Sequence, residues 1–160
     1  MKKKVIIIFG VLVVLAIAWM GYVSVKELNR KKAIEHAQND LSQLLNQLGQ
    51  SVDHIAPLTI LVFFNSGCEH CQWEMQEINK HIDQFAKHQL LLVSFEPEQK
   101  AATFLNQYGL SDFYLKSTPE RVMAAFTGGV PQTLIYRNGR LKKHFKGEVK
   151  IEAITDVLRQ

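Results

Sequence analysis

The most uniform hydrophobic pattern lies at the front of the chain, where Lys2-Lys3-Lys4 is followed by an uncharged run from Val5 to Val25. About twenty apolar residues suffice for a helix to cross a hydrocarbon core. Trp19 and Tyr22 stand near the far end of the run, where interfacial aromatics belong. Ala16-Ile17-Ala18 has the small-x-small form of a signal-peptidase site, but no polar region precedes it and Trp19 to Val23 continue the apolar run. An uncleaved signal anchor is therefore expected rather than a cleaved peptide. From Glu27 to Ile55 the chain turns polar and Gln-rich, with Ile34, Ala37, Leu41, Leu44, Leu45, Leu48, Val52 and Ile55 at helical spacing. That narrow stripe suits either a stalk that pairs with a second copy, a homodimer through residues 27–55, or a helix packed on its own domain. A stripe of about three heptads without regular flanking charge pairs favours the second. Gly49-Gln50-Ser51 marks a break in it.

From Pro57 onward the period changes. Leu58–Phe64 is apolar on both faces, as a buried strand is, and Cys71 to about Lys87 has helical spacing. Gln89–Phe95 predicts a second strand, and Glu98–Tyr108 a helix ended by Gly109. Phe113-Tyr114-Leu115 predicts a short extended piece, and Thr118-Pro119 the cap and first residue of a short helix to Phe126. Gln132–Tyr136 and Leu141–Lys146 form a hairpin around Asn138-Gly139, a pair suited to positive φ, and Lys150–Leu158 closes the chain as a helix.

With 160 residues, 47% of them hydrophobic, the chain holds one ordinary domain plus an extra segment. The expected organisation is an anchor over 1–25, a helical linker over 26–56 and an α/β domain over 57–160. The net charge of +4 comes mostly from lysines and arginines flanking the apolar run. It reads as basicity toward a lipid bilayer, with no nucleic-acid footprint. Because Lys26, Arg30, Lys31 and Lys32 follow the run closely, charge asymmetry sets its orientation only weakly.

Chemistry enters with Cys68-Glu69-His70-Cys71, which holds the only two cysteines and sits where a strand hands over to a helix. Two sulfurs three residues apart on a first helical turn can close a disulfide without rearranging the backbone. The first lies where unpaired N–H groups and the helix dipole favour a thiolate; the second is one turn in and shielded. Cys68 is thus the expected nucleophile and Cys71 the resolving thiol. A structural zinc site would need four ligands, but a second Cys pair is absent and His70, His81 and His88 fall at no ligand spacing. No metal or organic cofactor is expected. A tethered dithiol most naturally serves the oxidising side of a membrane, which orients the domain toward the periplasm or its equivalent.

From about Thr59 to Leu158 the chain resembles the thioredoxin fold, a central mixed sheet flanked by helices. Within it the chain resembles the membrane-anchored thiol-disulfide oxidoreductases of the bacterial cell envelope, the group that includes the cytochrome-c-maturation thioredoxins. The strand–C-x-x-C–helix unit, Val130-Pro131 before a hairpin strand and the Asn138-Gly139 turn carry the likeness. Two positions depart from the pattern: Gly67 replaces the aromatic before the first cysteine, and Val62 replaces the buried acid of thioredoxins proper.

The resemblance implies a cis Val130–Pro131 bond facing the cysteines, with Val130 lending its main chain to an extended client. His70 would help hold a thiolate and Glu69 would oppose it; the alternative for both is simple solvation of the helix terminus, which is the reading favoured for Glu69. Glu96 resembles an acid that the cytochrome-c-maturation members place near the dithiol; it would otherwise open the next helix, as Pro97 suggests. Met75 is expected in the core with Ile78 and Ile82, and Trp73 at the rim of the site. The function expected is disulfide exchange with protein substrates that carry disulfides or thiols, served by a membrane or soluble redox partner and running as a reductase. Three other readings stay open: a disulfide-forming oxidase, for which His70 and Val130 speak; a thiol peroxidase, opposed by Asn65 where a Thr-x-x-Cys motif needs Thr; and a redox-inert anchored assembly module.

Overall fold

The structure, a computed structural model, describes residues 2–52 and 55–159, with the side chains of residues 2–8 and 11 outside the description. The chain divides into two compact units, Met1–Glu35 and His36–Gln160. The described residues of the first are all helical. Helix α1 (Lys2–Gln38) takes in the apolar run and the first part of what the sequence presents as linker. Phe9, Leu12, Val14, Leu15, Ile17 and Met20 are exposed on it, and Trp19 and Tyr22 pair with ring centroids 6.1 Å apart. Among the described residues this is the one helix long and apolar enough, by length and composition, to cross a membrane.

In the second unit the helical pattern over 27–55 breaks earlier than Gly49 alone suggests, at Asn39-Asp40. Asp40 is an N-cap: its carboxylate accepts from the N–H groups of Ser42 (2.9 Å) and Gln43 (3.3 Å) and starts helix α2 (Leu41–Gln47). The adjoining backbone meets the hairpin turn, with the Leu41 N–H donating to Gly139 O and the Leu141 N–H to Asn39 O. Leu41, Leu44, Leu45 and Leu48 are buried in the domain's own core. They are not available to pair with a second copy, which corrects the stalk reading for that part of the stripe. Val52 and Ile55 pack partly buried on the same core from a non-helical segment beyond Gly49, whose φ is +82°.

The sheet has the order β2-β1-β3-β4. Strand β1 (Leu58–Phe64) lies parallel to β2 (Gln89–Ser94) and antiparallel to β3 (Gln132–Arg137), and β4 (Arg140–Lys146) closes the hairpin. Because strand side chains alternate, Ile60, Val62 and Phe64 face one layer of helices while Leu61 and Phe63 face the other. The first layer holds α3 (Glu69–Lys80), α5 (Glu98–Gln107) and α7 (Ile151–Arg159); the second holds α2 and α6 (Pro119–Ala125). This is the thioredoxin-like mixed sheet that the resemblance implies.

Most local expectations hold. Asn138 (φ +49°) and Gly139 (φ +77°) make the hairpin turn. Thr118 caps α6 by accepting from the Arg121 N–H, with Pro119 at the first position. Gly109 (φ +67°) follows α5. Two elements differ. The helix expected from Cys71 to Lys87 stops at Lys80 and resumes only as a single turn, α4 (Ile82–Phe85), with His81 between them at φ −114°. The piece Phe113 to Leu115 is a 3-10 turn over Ser111–Phe113, and only then does Tyr114 bridge to Leu92.

Candidate functional site

The C-terminal end of β1, the N-terminus of α3 and the segment before β3 converge. Cys68 is the N-cap of α3 and makes no side-chain cap hydrogen bond, so it stands at the positive end of the helix dipole, where a thiolate is favoured. The loop that delivers it is built locally. Asn65 Oδ1 accepts from the Gly67 N–H (2.8 Å), Asn65 O accepts from the Cys68 N–H (3.2 Å), and the Gln72 side chain donates to Ser66 O (2.9 Å).

Cys68 is half-buried and Cys71 fully buried, and both are free thiols within hydrogen-bonding reach of each other. Burial pushes the Cys71 thiol far up; a backbone hydrogen bond from Asn65 opposes this, and Cys68 and Glu74 add to it. The Cys68 sulfur lies 3.5 Å from Val130 O. Val130–Pro131 is a cis peptide, and Pro131 is buried. The Pro131 carbonyl accepts from the Gly147 N–H (2.9 Å), which brings the segment after β4 over the start of α3. There Glu148 contacts His70 Nδ1. A protonated His70 would thus have its charge offset by a carboxylate.

The other expected residues separate. Glu69 is exposed on the first turn of α3. Glu96 turns into the loop before Cys68: its carboxylate accepts from the Ser66 N–H (2.6 Å) and hydroxyl (2.8 Å) and pairs with Lys100 (2.6 Å). Burial opposes its charge, but these donors prevail and hold its carboxyl below the usual range. Pro97 is the N-cap of α5, so Glu96 both precedes that helix and faces the site loop. Met75 is core, as its spacing predicts, and Trp73 lines a surface cavity with Glu77, Lys150 and Ile151. Among the described residues no three His, Cys, Asp or Glu side chains converge as a metal set.

Glu74 escaped sequence reasoning. It is 1% exposed, one turn beyond Cys71, and its Oε1 accepts from the Thr133 hydroxyl at 2.5 Å while Oε2 has no partner. Burial raises its pKa to about 7; the Thr133 hydrogen bond opposes the rise and Glu148 adds to it. A signal existed. Cys71, Glu74, Met75 and Ile78 follow the i, i+3, i+4, i+7 spacing of one helix face, so a carboxylate sits in the apolar stripe. Val62 on β1 brings no acid to the core, whereas α3 buries the carboxyl of Glu74.

A family model described as the AhpC/TSA family matches residues 41–145. Among curated proteins none matches the chain. Solved structures similar to it include a thiol:disulfide interchange protein of the thioredoxin family from Chlorobium tepidum TLS, with TM-score 0.54 and 15% identity over 64% of this chain and 77% of that one. StoA from Bacillus subtilis has TM-score 0.52 and 20% identity over 66% and 84%. A thio-disulfide isomerase from Thermus thermophilus has TM-score 0.50 and 23% identity over 66% and 79%. At these identities the likeness is one of fold.

Proposed function

The chain belongs to the AhpC/TSA family, and we propose that it is a thiol-disulfide oxidoreductase tethered to a membrane and acting on protein disulfides through Cys68 and Cys71. The observation that carries this reading is the asymmetry of the pair, with Cys68 accessible at the N-cap of α3 and Cys71 buried one turn in.

Cys68, as thiolate, attacks a client disulfide; its sulfur bonds one client sulfur and the other leaves as a thiol. Cys71 then loses its proton and attacks Cys68, closing the Cys68–Cys71 disulfide and releasing the second client thiol. Two electrons pass from the protein to the client, and a membrane or soluble dithiol partner returns them. Val130 would offer its main chain to the client strand beside Cys68, and Glu74 would take the proton of Cys71. Asn65, standing where a thiol peroxidase would need Thr, spends its side chain on the Gly67 N–H.

Two features support the reducing direction. Burial keeps Cys71 a thiol, so no charge there stabilises the reduced form. Glu148 offsets the charge through which His70 would favour an oxidase. Mixed with oxidised glutathione, the dithiol is expected to be consumed, with the equilibrium on the side of the protein disulfide. A dithiol that persists would make the protein an oxidase, and one that never exchanges would make it a redox-inert module.

The exposed apolar helix and its flanking cations support the tether, and a cell-envelope location for everything beyond about Lys26 follows from the redox argument. Protease added to intact spheroplasts should cut the domain away from a membrane-bound stub. Full protection would mean the opposite orientation.

A further inference from the structure

Gln132 follows Pro131 directly and is 2% exposed, a degree of burial unusual for a glutamine. It is fully engaged. Its Nε2 donates to Thr127 O (2.9 Å) and to Gly129 O (2.8 Å), and its Oε1 lies 2.9 Å from His144 Nε2 on β4. The loop is shaped around it: Gly128 has φ +98°, and a Cβ there would meet Gln132 Nε2 at 3.1 Å. One amide group therefore ties the main chain of residues 127 and 129 to the rigid sheet, immediately before Val130, whose carbonyl meets the Cys68 sulfur.

We propose that Gln132 is a positioning residue for client docking, holding the loop 127–130 so that the Val130 main chain is presented to an extended client at a fixed distance from Cys68. This rests on the oxidoreductase reading above. The physical case is one of satisfaction. A short glycine-rich loop has little side-chain packing to fix it, and Gly128 and Gly129 leave its backbone many alternatives. Two carbonyls held by one buried donor remove those alternatives, because breaking either bond leaves the buried Gln132 amide with an unmade hydrogen bond. The client gains a preordered strand edge, and the ordering entropy is spent during folding and not during binding.

The test separates docking from chemistry. Gln132→Met keeps length but donates nothing; Gly128→Ala pushes on the same amide from the loop side and leaves β3 intact. Each is compared with the full-length wild type on a peptide disulfide, which needs the strand edge, and on a small aromatic disulfide reagent, which does not. Both variants should raise KM for the peptide about tenfold while kcat and the small-reagent rate change by less than about threefold. Peptide KM unchanged in both variants would overturn the proposal, and so would peptide and small-reagent rates falling in parallel, since that marks general damage. A wild type that exchanges with neither substrate overturns the oxidoreductase reading itself, and the positioning role with it.

Discussion

A Cys71→Ala variant is expected to leave the first attack intact and to stall on its product, accumulating a mixed disulfide between Cys68 and the client. The expectation follows from the difference in access between the two sulfurs. Cys68 stands at the N-cap of α3 and is half-buried; Cys71 is fully buried, and its thiol is pushed far up by that burial. Once a client sulfur is bonded to Cys68, the only nucleophile already in place is Cys71. An intramolecular attack with an effective concentration far above molar is replaced, in the variant, by bimolecular attack from millimolar thiols. The lifetime of the mixed disulfide should grow by at least about a thousandfold. Cys68→Ala should form none. Non-reducing electrophoresis of envelope extracts reads both, and a Cys68→Ala variant that captures clients while Cys71→Ala does not would reverse the assignment.

The second large effect is expected at Glu74. Burial raises its pKa to about 7; in the proposed mechanism this carboxyl accepts the proton that Cys71 must lose, so the resolution rate of the wild type should rise with pH through about 7 as Glu74 becomes ionised. Glu74→Gln keeps the Thr133 hydrogen bond but removes the acceptor. Resolution should slow by about a hundredfold and lose its pH step near 7, while the first attack by Cys68 changes little. Stability should move the other way. The folded pKa lies above the unfolded value of 4.5, so the wild type holds the extra proton more tightly when folded, and its stability falls as pH rises from about 4.5 to about 7. A shift of that size corresponds to on the order of 3 kcal/mol. Gln at 74 should flatten that decline, leaving the variant the more stable protein above pH 7. Stopped-flow resolution rates and denaturant melts across pH 5 to 9 test both arms, and a variant with wild-type resolution kinetics would remove Glu74 from the mechanism.

Both effects show how unevenly the site is written along the chain. The dithiol was legible because its chemistry is local: a strand, a cap position and one helical turn lie within fourteen consecutive residues, Leu58 to Cys71. Met75 was placed in the core by spacing alone. Glu74, next to it on the same face, was not singled out, because a carboxylate in an apolar stripe declares itself only when Thr133, 59 residues later, is brought against it. Glu96 fits two places along the sequence, and folding fills both, since it precedes Pro97 at the start of α5 and reaches Ser66, 30 residues back. The leucines of α2 illustrate the converse. Their periodicity identifies a helix with an apolar face but does not say which surface covers it, and the covering surface came from β1, β2, β3 and α6.

What the sequence determined by itself, then, were the features held by short-range physics: the apolar run long enough to span a membrane, the cap at Thr118 and the glycine after α5, the Asn138-Gly139 turn, the alternation of strand and helix, and the place of the two cysteines at the cap and first turn of α3. Propensity, capping and the helix dipole act within a turn or two, so residue order suffices to read them. Only the tertiary structure decided the break at Asp40, the pairing of His70 with Glu148, the carboxyl of Glu74 behind Cys71 and the amide of Gln132 behind Val130. Each of these involves partners far apart in the chain, or a burial that raises the energy of a charge or an unmade hydrogen bond. Such energies depend on the dielectric and on the partner groups that folding assembles, and neither exists until the sheet has closed.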